Sequence, residues 1–179
     1  MTLLEVLMSL AVFAILMTAA ASSILSSIDS NQKAQSINSV MSNMTVALEA
    51  MSRDIRVGSS YAVNGDGVPT MNMTGNELFY TDDHDVRRKI SLGDIDGNGL
   101  GEIALTDMSV IGGQPLALTA SEVDVESLQF SVFIEESDGE TPRQPMVKIR
   151  LKGKVSVQER TATDFYLQTV VSQRLFSDQ

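Results

Sequence analysis

One stretch limits what this chain can become. From Met1 to Ile28 the only charged residue is Glu5, and no Lys or Arg occurs before Lys33. An apolar helix of about 20 residues covers roughly 30 Å, the hydrocarbon thickness of a bilayer. Residues 3–17 are apolar on all sides apart from Glu5 and Ser9. Such a helix has to be buried, in lipid or among other helices. A carboxylate inside it is costly without a partner and marks function by default. A plain membrane anchor accounts for the length but not for the acid. A cleaved secretory signal could use Ala19-Ala20-Ala21 as its small-residue site, yet such signals open on a basic region. Here the first charge is acidic. The bland reading of Glu5 is a side chain snorkelling to the membrane surface.

The chain has 179 residues, room for one domain besides this segment. Its net charge of −10 argues against the phosphate backbone of nucleic acids as main partner. It has no Cys and no Trp, and His84 is its one histidine. Disulfides, thiolate metal sites and thiol nucleophiles are excluded together. Little remains from which to build a catalytic constellation, and no enzymatic activity is expected.

After Ser27 the character changes. Ile37, Met41, Met44, Leu48, Met51 and Ile55 recur at steps of four and three, one stripe of an amphipathic helix. Neither Pro nor Gly occurs between Thr2 and Val57. Gly58 then offers a C-cap, with Arg53 and Arg56 near the negative end of the helix. The expectation is a single helix of about 55 residues, roughly 80 Å long. The Met stripe at this spacing reads as core packing against a sheet. The Ser-rich run Ser22–Ser27 is its weakest part, because Ser competes for backbone hydrogen bonds.

Met1 followed by Thr2-Leu3-Leu4-Glu5-Val6-Leu7 resembles the processed N-terminus of bacterial type IV pilins and of type II secretion pseudopilins. In that family a leader is removed by a prepilin peptidase. The new first residue is N-methylated, and position five is Glu. The resemblance implies that Met1 carries the methylated amine and that Glu5 neutralises it, within one subunit or between neighbours. An unpaired ion in a filament core would cost several kcal/mol. It implies a membrane anchor before assembly and the core of an extracellular helical filament, a homo-oligomer, after it. The assembly machinery would be the further partner. Met1 stands where Phe is commonest in the family. Ala14 and Ser22 stand where many members carry Gly and Pro.

A second motif lies between two strand-like segments, Arg88–Leu92 and Glu102–Thr106. Asp94, Asp96 and Asn98 are spaced by two, Gly99 follows, and Glu102 closes the set. This is the D-x-D-x-[DN]-G spacing of calcium loops, in which hard oxygen ligands alternate around one cation. The carbonyl of Leu100 would add a ligand. Leu105 occupies the place of the closing EF-hand Glu, so the pattern is nearer to calcium loops on β-hairpins. Calcium is the expected cofactor, in a structural role. The alternative is an acidic hairpin turn without an ion. Asp82-Asp83-His84-Asp85 reads as a solvated turn. The short sequons at Asn43 and Asn72 carry no argument.

Ser59–Gly75 is rich in turn signals and reads as loop. Leu78–Tyr80 reads as a strand. Leu128–Ile134, Val147–Val155 and Phe165–Val171 alternate with period two, as strands of a half-covered antiparallel sheet do. Glu135–Pro145 reads as an acidic loop. Lys148, Arg150, Lys152 and Lys154 share one strand face, expected to meet acids on neighbouring strands or subunits. The expected fold is α+β and pilin-like, one long N-terminal helix packed on an antiparallel sheet. Residues 1–27 form the apolar part and 28–179 the head. The functional expectation is a pilus subunit. The alternatives are a secretion pseudopilin and a membrane-anchored, calcium-dependent adhesin.

Overall fold

The computed structural model describes residues 2–65, 72–110, 112–121, 123–134, 144–157 and 161–174. Met1, the centre of the first turn-rich stretch and most of the acidic loop after Ile134 lie outside these residues. The chain divides into two compact units, Met1–Ser39 and Val40–Gln179. Helix α1 runs unbroken from Leu3 to Val57.

In the first unit every residue from Thr2 to Gln32 is exposed, including Leu3, Leu7, Phe13, Ile15 and Leu16. By length and composition the helix could cross a membrane. Its hydroxyls fold back on it. Ser9 Oγ donates to the Val6 carbonyl at 2.9 Å and Thr18 Oγ1 to that of Ala14 at 2.8 Å. Ser22 Oγ and Ser30 Oγ likewise donate to the carbonyls of Ala19 and Ser26, so these four hydroxyls are satisfied within the helix. The Ser-rich run remains helical.

In the second unit, α1 buries Val40, Met44, Ala47, Met51 and Ile55. Met44, Met51 and Ile55 belong to the expected stripe, whereas Met41 and Leu48 are half-buried at its margin. A stripe read from large side chains overlooks the small Ala47, which is 1% exposed. The helix closes as anticipated at Gly58, whose N–H donates to Asp54 O at 3.0 Å. A Cβ on Gly58 would lie 2.8 Å from the Tyr80 ring. Close packing, not a left-handed turn, requires this glycine. The Tyr61 hydroxyl sits 2.6 Å from the Ile55 carbonyl and 2.5 Å from that of Gly58, occupying acceptors left open at the helix end. Burial pushes this hydroxyl's pKa well above the usual phenol range.

Among the described residues nine strands follow: β1 Ser59–Val63, β2 Met73–Gly75, β3 Leu78–Thr81, β4 Arg87–Gly93, β5 Glu102–Asp107, β6 Leu116–Ala117, β7 Asp124–Phe133, β8 Met146–Val157 and β9 Thr161–Ser172. They form two antiparallel sheets in the orders β1-β3-β4-β5-β6 and β2-β7-β8-β9. The fold is α+β, with one long helix packed on antiparallel sheets, as the sequence pattern requires. The expectation of a single sheet is corrected to two. After β5 the first sheet ends on the two-residue β6, and β7 pairs with β2 and β8 instead. Strands β1 and β2 lie inside the stretch expected to be loop. Ser60, with φ 54°, and a register break give β1 no clean alternation to read.

The sheets meet where β5 begins. The Val125 N–H donates to the Gly101 carbonyl at 2.9 Å. A Cβ on Gly101 would lie 2.1 Å from the Val125 carbonyl oxygen, so only glycine fits. Side chains from both sheets and the helix form the core, among them Tyr80, Ile90, Ile103, Phe130, Ile149 and Met44, each no more than 1% exposed.

Candidate functional site

Glu5 lies in the first turn of α1. Its backbone N–H is 3.0 Å from the Thr2 carbonyl and 3.4 Å from Thr2 Oγ1. Thr2 therefore occupies the N-cap and Glu5 the third helical position, the T-x-x-E order of a capping box. Thr2 is a residue that reading the string for its carboxylate alone overlooks. A carboxylate here also meets the positive end of the helix dipole. Met1, expected to carry the amine, is outside the described residues.

The acidic motif forms the turn between β4 and β5, whose register closes at Gly93 opposite Glu102. The side chains hold the turn from within. Asp94 Oδ1 accepts the Gly97 N–H at 2.8 Å and its Oδ2 the Gly99 N–H at 3.0 Å. Asp96 Oδ1 accepts the Asn98 N–H at 3.0 Å, and Asn98 Oδ1 that of Leu100 at 2.7 Å. Gly97 and Gly99 have φ of 79° and 81°, which glycine adopts without strain. The turn is anchored to the start of β7: the Gly101 N–H reaches Asp124 Oδ1 at 3.2 Å and Asn98 Nδ2 reaches the Ser121 carbonyl at 3.1 Å.

Glu102 stands apart. It is 2% exposed, and Oε2 accepts the Ile95 N–H at 3.2 Å. Among the described residues no Lys or Arg forms an ion pair with it. A buried carboxylate with this little compensation suits a cation. The oxygen donors of Asp94, Asp96, Asn98, Leu100 and Glu102 fit calcium in kind. Their arrangement is not that of a closed coordination shell. Among the described residues, the one trio of acidic or His side chains with ligand atoms within 4.8 Å of one another is Asp82, Asp83 and His84. The hairpin's carboxylates hold backbone N–H groups instead.

The Asp82 trio has another use for its carboxylate. Asp82 Oδ1 accepts the N–H groups of His84 and Val86, both at 2.9 Å, and Oδ2 lies 2.7 Å from Arg88 Nε. Burial pushes the Asp82 pKa up, but the two N–H donors and the Arg88 charge outweigh it and hold it below the usual carboxylate range. This depressed value stabilises the fold above the unfolded-state pKa, and the gain is lost as pH falls through the folded value. Asp82→Asn should cost about 1–3 kcal/mol at pH 7, as loss of hydrogen bonds to a charged group does. The difference from the parent chain should shrink at pH 2, read by paired thermal melts.

Two members of the cationic row on β8, Lys152 and Lys154, meet acids on neighbouring strands. Lys152 Nζ lies 2.5 Å from Glu126 Oε2 and 3.5 Å from Asp164 Oδ2, and Lys154 pairs with Glu126. These side-chain bonds hold the Glu126 carboxyl below its ordinary range. Arg150 donates to Gln129 Oε1. Comparison with protein-family models, curated proteins and solved structures finds no match to this chain.

Proposed function

We propose that the chain is a structural subunit of a type IV pilus-like filament, polymerising through its apolar N-terminal segment, residues 1–27, with Glu5 neutralising a processed N-terminal amine. The observation that carries this reading is the helix itself. Its first half exposes apolar residues all round, with one carboxylate in the first turn. Exposed apolar surface of this extent needs lipid or other helices around it. In this proposal the segment anchors the subunit in the cytoplasmic membrane, a prepilin peptidase cleaves and methylates it, and assembly machinery moves it into the extracellular filament. The protein performs no chemistry of its own. Shearing cells that express the chain should release it in a sedimentable filament fraction. Retention of all the chain in the membrane fraction would support the anchored adhesin instead.

Calcium is proposed as a structural clamp on the β4–β5 hairpin, supported by the burial and sparse compensation of Glu102. A hairpin of this kind also favours, as second reading, a pseudopilin of a type II secretion system, whose filament would form only together with that machinery. Saturating calcium at a hundred times its Kd should stabilise the fold by about 2.7 kcal/mol. A calcium titration of the melting temperature checks this, and Asp94→Ala should abolish the response. A melting temperature indifferent to calcium would leave the hairpin an ordinary turn.

A further inference from the structure

The face of the second sheet turned away from the core carries Lys148, Arg150, Lys152 and Lys154, while Ile149 and Leu151 between them are buried. One end of this row is neutralised, because Glu126 and Asp164 take up Lys152 and Lys154. Among the described residues neither Lys148 nor Arg150 forms an ion pair. Arg150 donates one N–H to Gln129 Oε1, and a guanidinium has further N–H groups to give. Two adjacent cations without an acid stand out in a chain of net charge −10. On β9, Gln168 lies opposite Arg150, Val170 opposite Lys148 and Tyr166 opposite Lys152. All three are exposed, Tyr166 by 71%. Arg150, Tyr166 and Gln168, with Leu151 and Leu167, line a cleft of about 220 Å³. Lys152 Nζ lies 5.8 Å from the centroid of the Tyr166 ring, a cation–π contact that favours one ring position.

We propose that this cleft binds a carboxylated polysaccharide, seating one sugar unit. Its volume is below the roughly 300–1,000 Å³ of sites that enclose a drug-sized ligand, so it takes one unit of a longer chain. A sugar acid presents a planar carboxylate, hydroxyls and an apolar face of C–H groups. The Arg150 guanidinium matches the carboxylate with two parallel N–H donors. Lys148, about 7 Å along the strand, adds a second cation. The Gln168 amide offers a donor and an acceptor to hydroxyls. The Tyr166 ring offers a flat apolar surface with a polar tip. Asp164 stands four residues from Gln168, roughly 13 Å along β9 and beyond the Debye length at physiological salt, so it does not repel the carboxylate. Duplex nucleic acid carries a charge about every 1.7 Å, more than two cations in an acidic chain offset. A protein partner fits less well, because Lys is depleted at interface centres. The site lies within the Val40–Gln179 unit and does not depend on the helix-driven assembly proposed above.

Polygalacturonate, its fully methyl-esterified form and single-stranded DNA are the probes. Binding isotherms are measured on the full chain in neutral detergent micelles, in calcium-free buffer at physiological salt. Polygalacturonate should bind at least about tenfold more tightly than the esterified polymer, the loss expected when a hydrogen-bonded charge is removed. This comparison uses the parent chain alone and needs no variant. Arg150→Gln and Tyr166→Ala should each weaken binding by about tenfold, whereas Tyr166→Phe keeps the ring and should bind like the parent. Lys154→Gln removes the same charge from the neutralised end and should change binding little. Equal binding of the two polymers, equal losses for Arg150→Gln and Lys154→Gln, or tighter binding of DNA than of polygalacturonate would overturn the proposal. Glu5→Ala should bind polygalacturonate like the parent, so loss of filaments leaves this result in place.

Discussion

Replacing Glu5 by Ala should all but abolish filaments while leaving membrane insertion intact. The loss follows from the cost of an uncompensated ion. Breaking a buried pair by removing one partner costs about 3–5 kcal/mol. At about 1.4 kcal/mol per tenfold, subunit addition should weaken by at least about a hundredfold. Glu5→Gln should be nearly as defective, because it keeps the shape and loses the charge. The capping geometry supplies the control. Thr2→Ala removes the acceptor 3.4 Å from the Glu5 N–H and should cost only about 1 kcal/mol of helix stability. If Thr2→Ala and Glu5→Gln impair assembly equally, Glu5 serves the helix start and not the joint between subunits. Quantifying sheared filaments beside membrane-bound chain for each variant makes the comparison.

The second large effect lies in the core. Phe130 is fully buried on β7, the strand that pairs with both β2 and β8. Phe130→Ala should destabilise the fold by about 3–5 kcal/mol, the range for deleting a buried aromatic ring. For a domain of this size each kcal/mol moves the melting temperature by roughly 2–4 °C, so a fall of roughly 6–20 °C is expected. Tyr166→Ala, at a position 71% exposed, should move it little. Thermal melts of the two variants in detergent read the contrast. A fall below about 3 °C for Phe130→Ala would mean that the two-sheet core is not where the stability resides.

The sequence made the helix legible from end to end, because no Gly or Pro interrupts it and Gly58 stops it. Strands β3, β4, β5, β7, β8 and β9 were legible through their apolar runs and alternation, though several extend a few residues beyond the pattern. Strands β1 and β2 were not. Their pairing is set by distant partners, Thr81 opposite Ser59 and Phe130 opposite Gly75, and their own residues carry turn signals. The split into two sheets lies in long-range pairings, β7 with β2 and β8 and not with β5, which no local spacing announces. In the acidic hairpin, the Asp and Asn spacing gave the turn. The partner strand's contribution through Asp124, and the depth at which Glu102 is buried, come only from the tertiary fold.

In the proposed filament the apolar segment 1–27 forms the core and Glu5 is the charged joint. Electron cryo-microscopy of filaments sheared from cells, carried to a helical reconstruction, tests it most directly. The expected map has apolar helices bundled on the filament axis and the Glu5 carboxylate within ion-pair distance of an N-terminal amine, its own or a neighbour's. Absence of any filament containing the chain, or filaments whose apolar helices lie away from the axis with Glu5 unpaired, would contradict it.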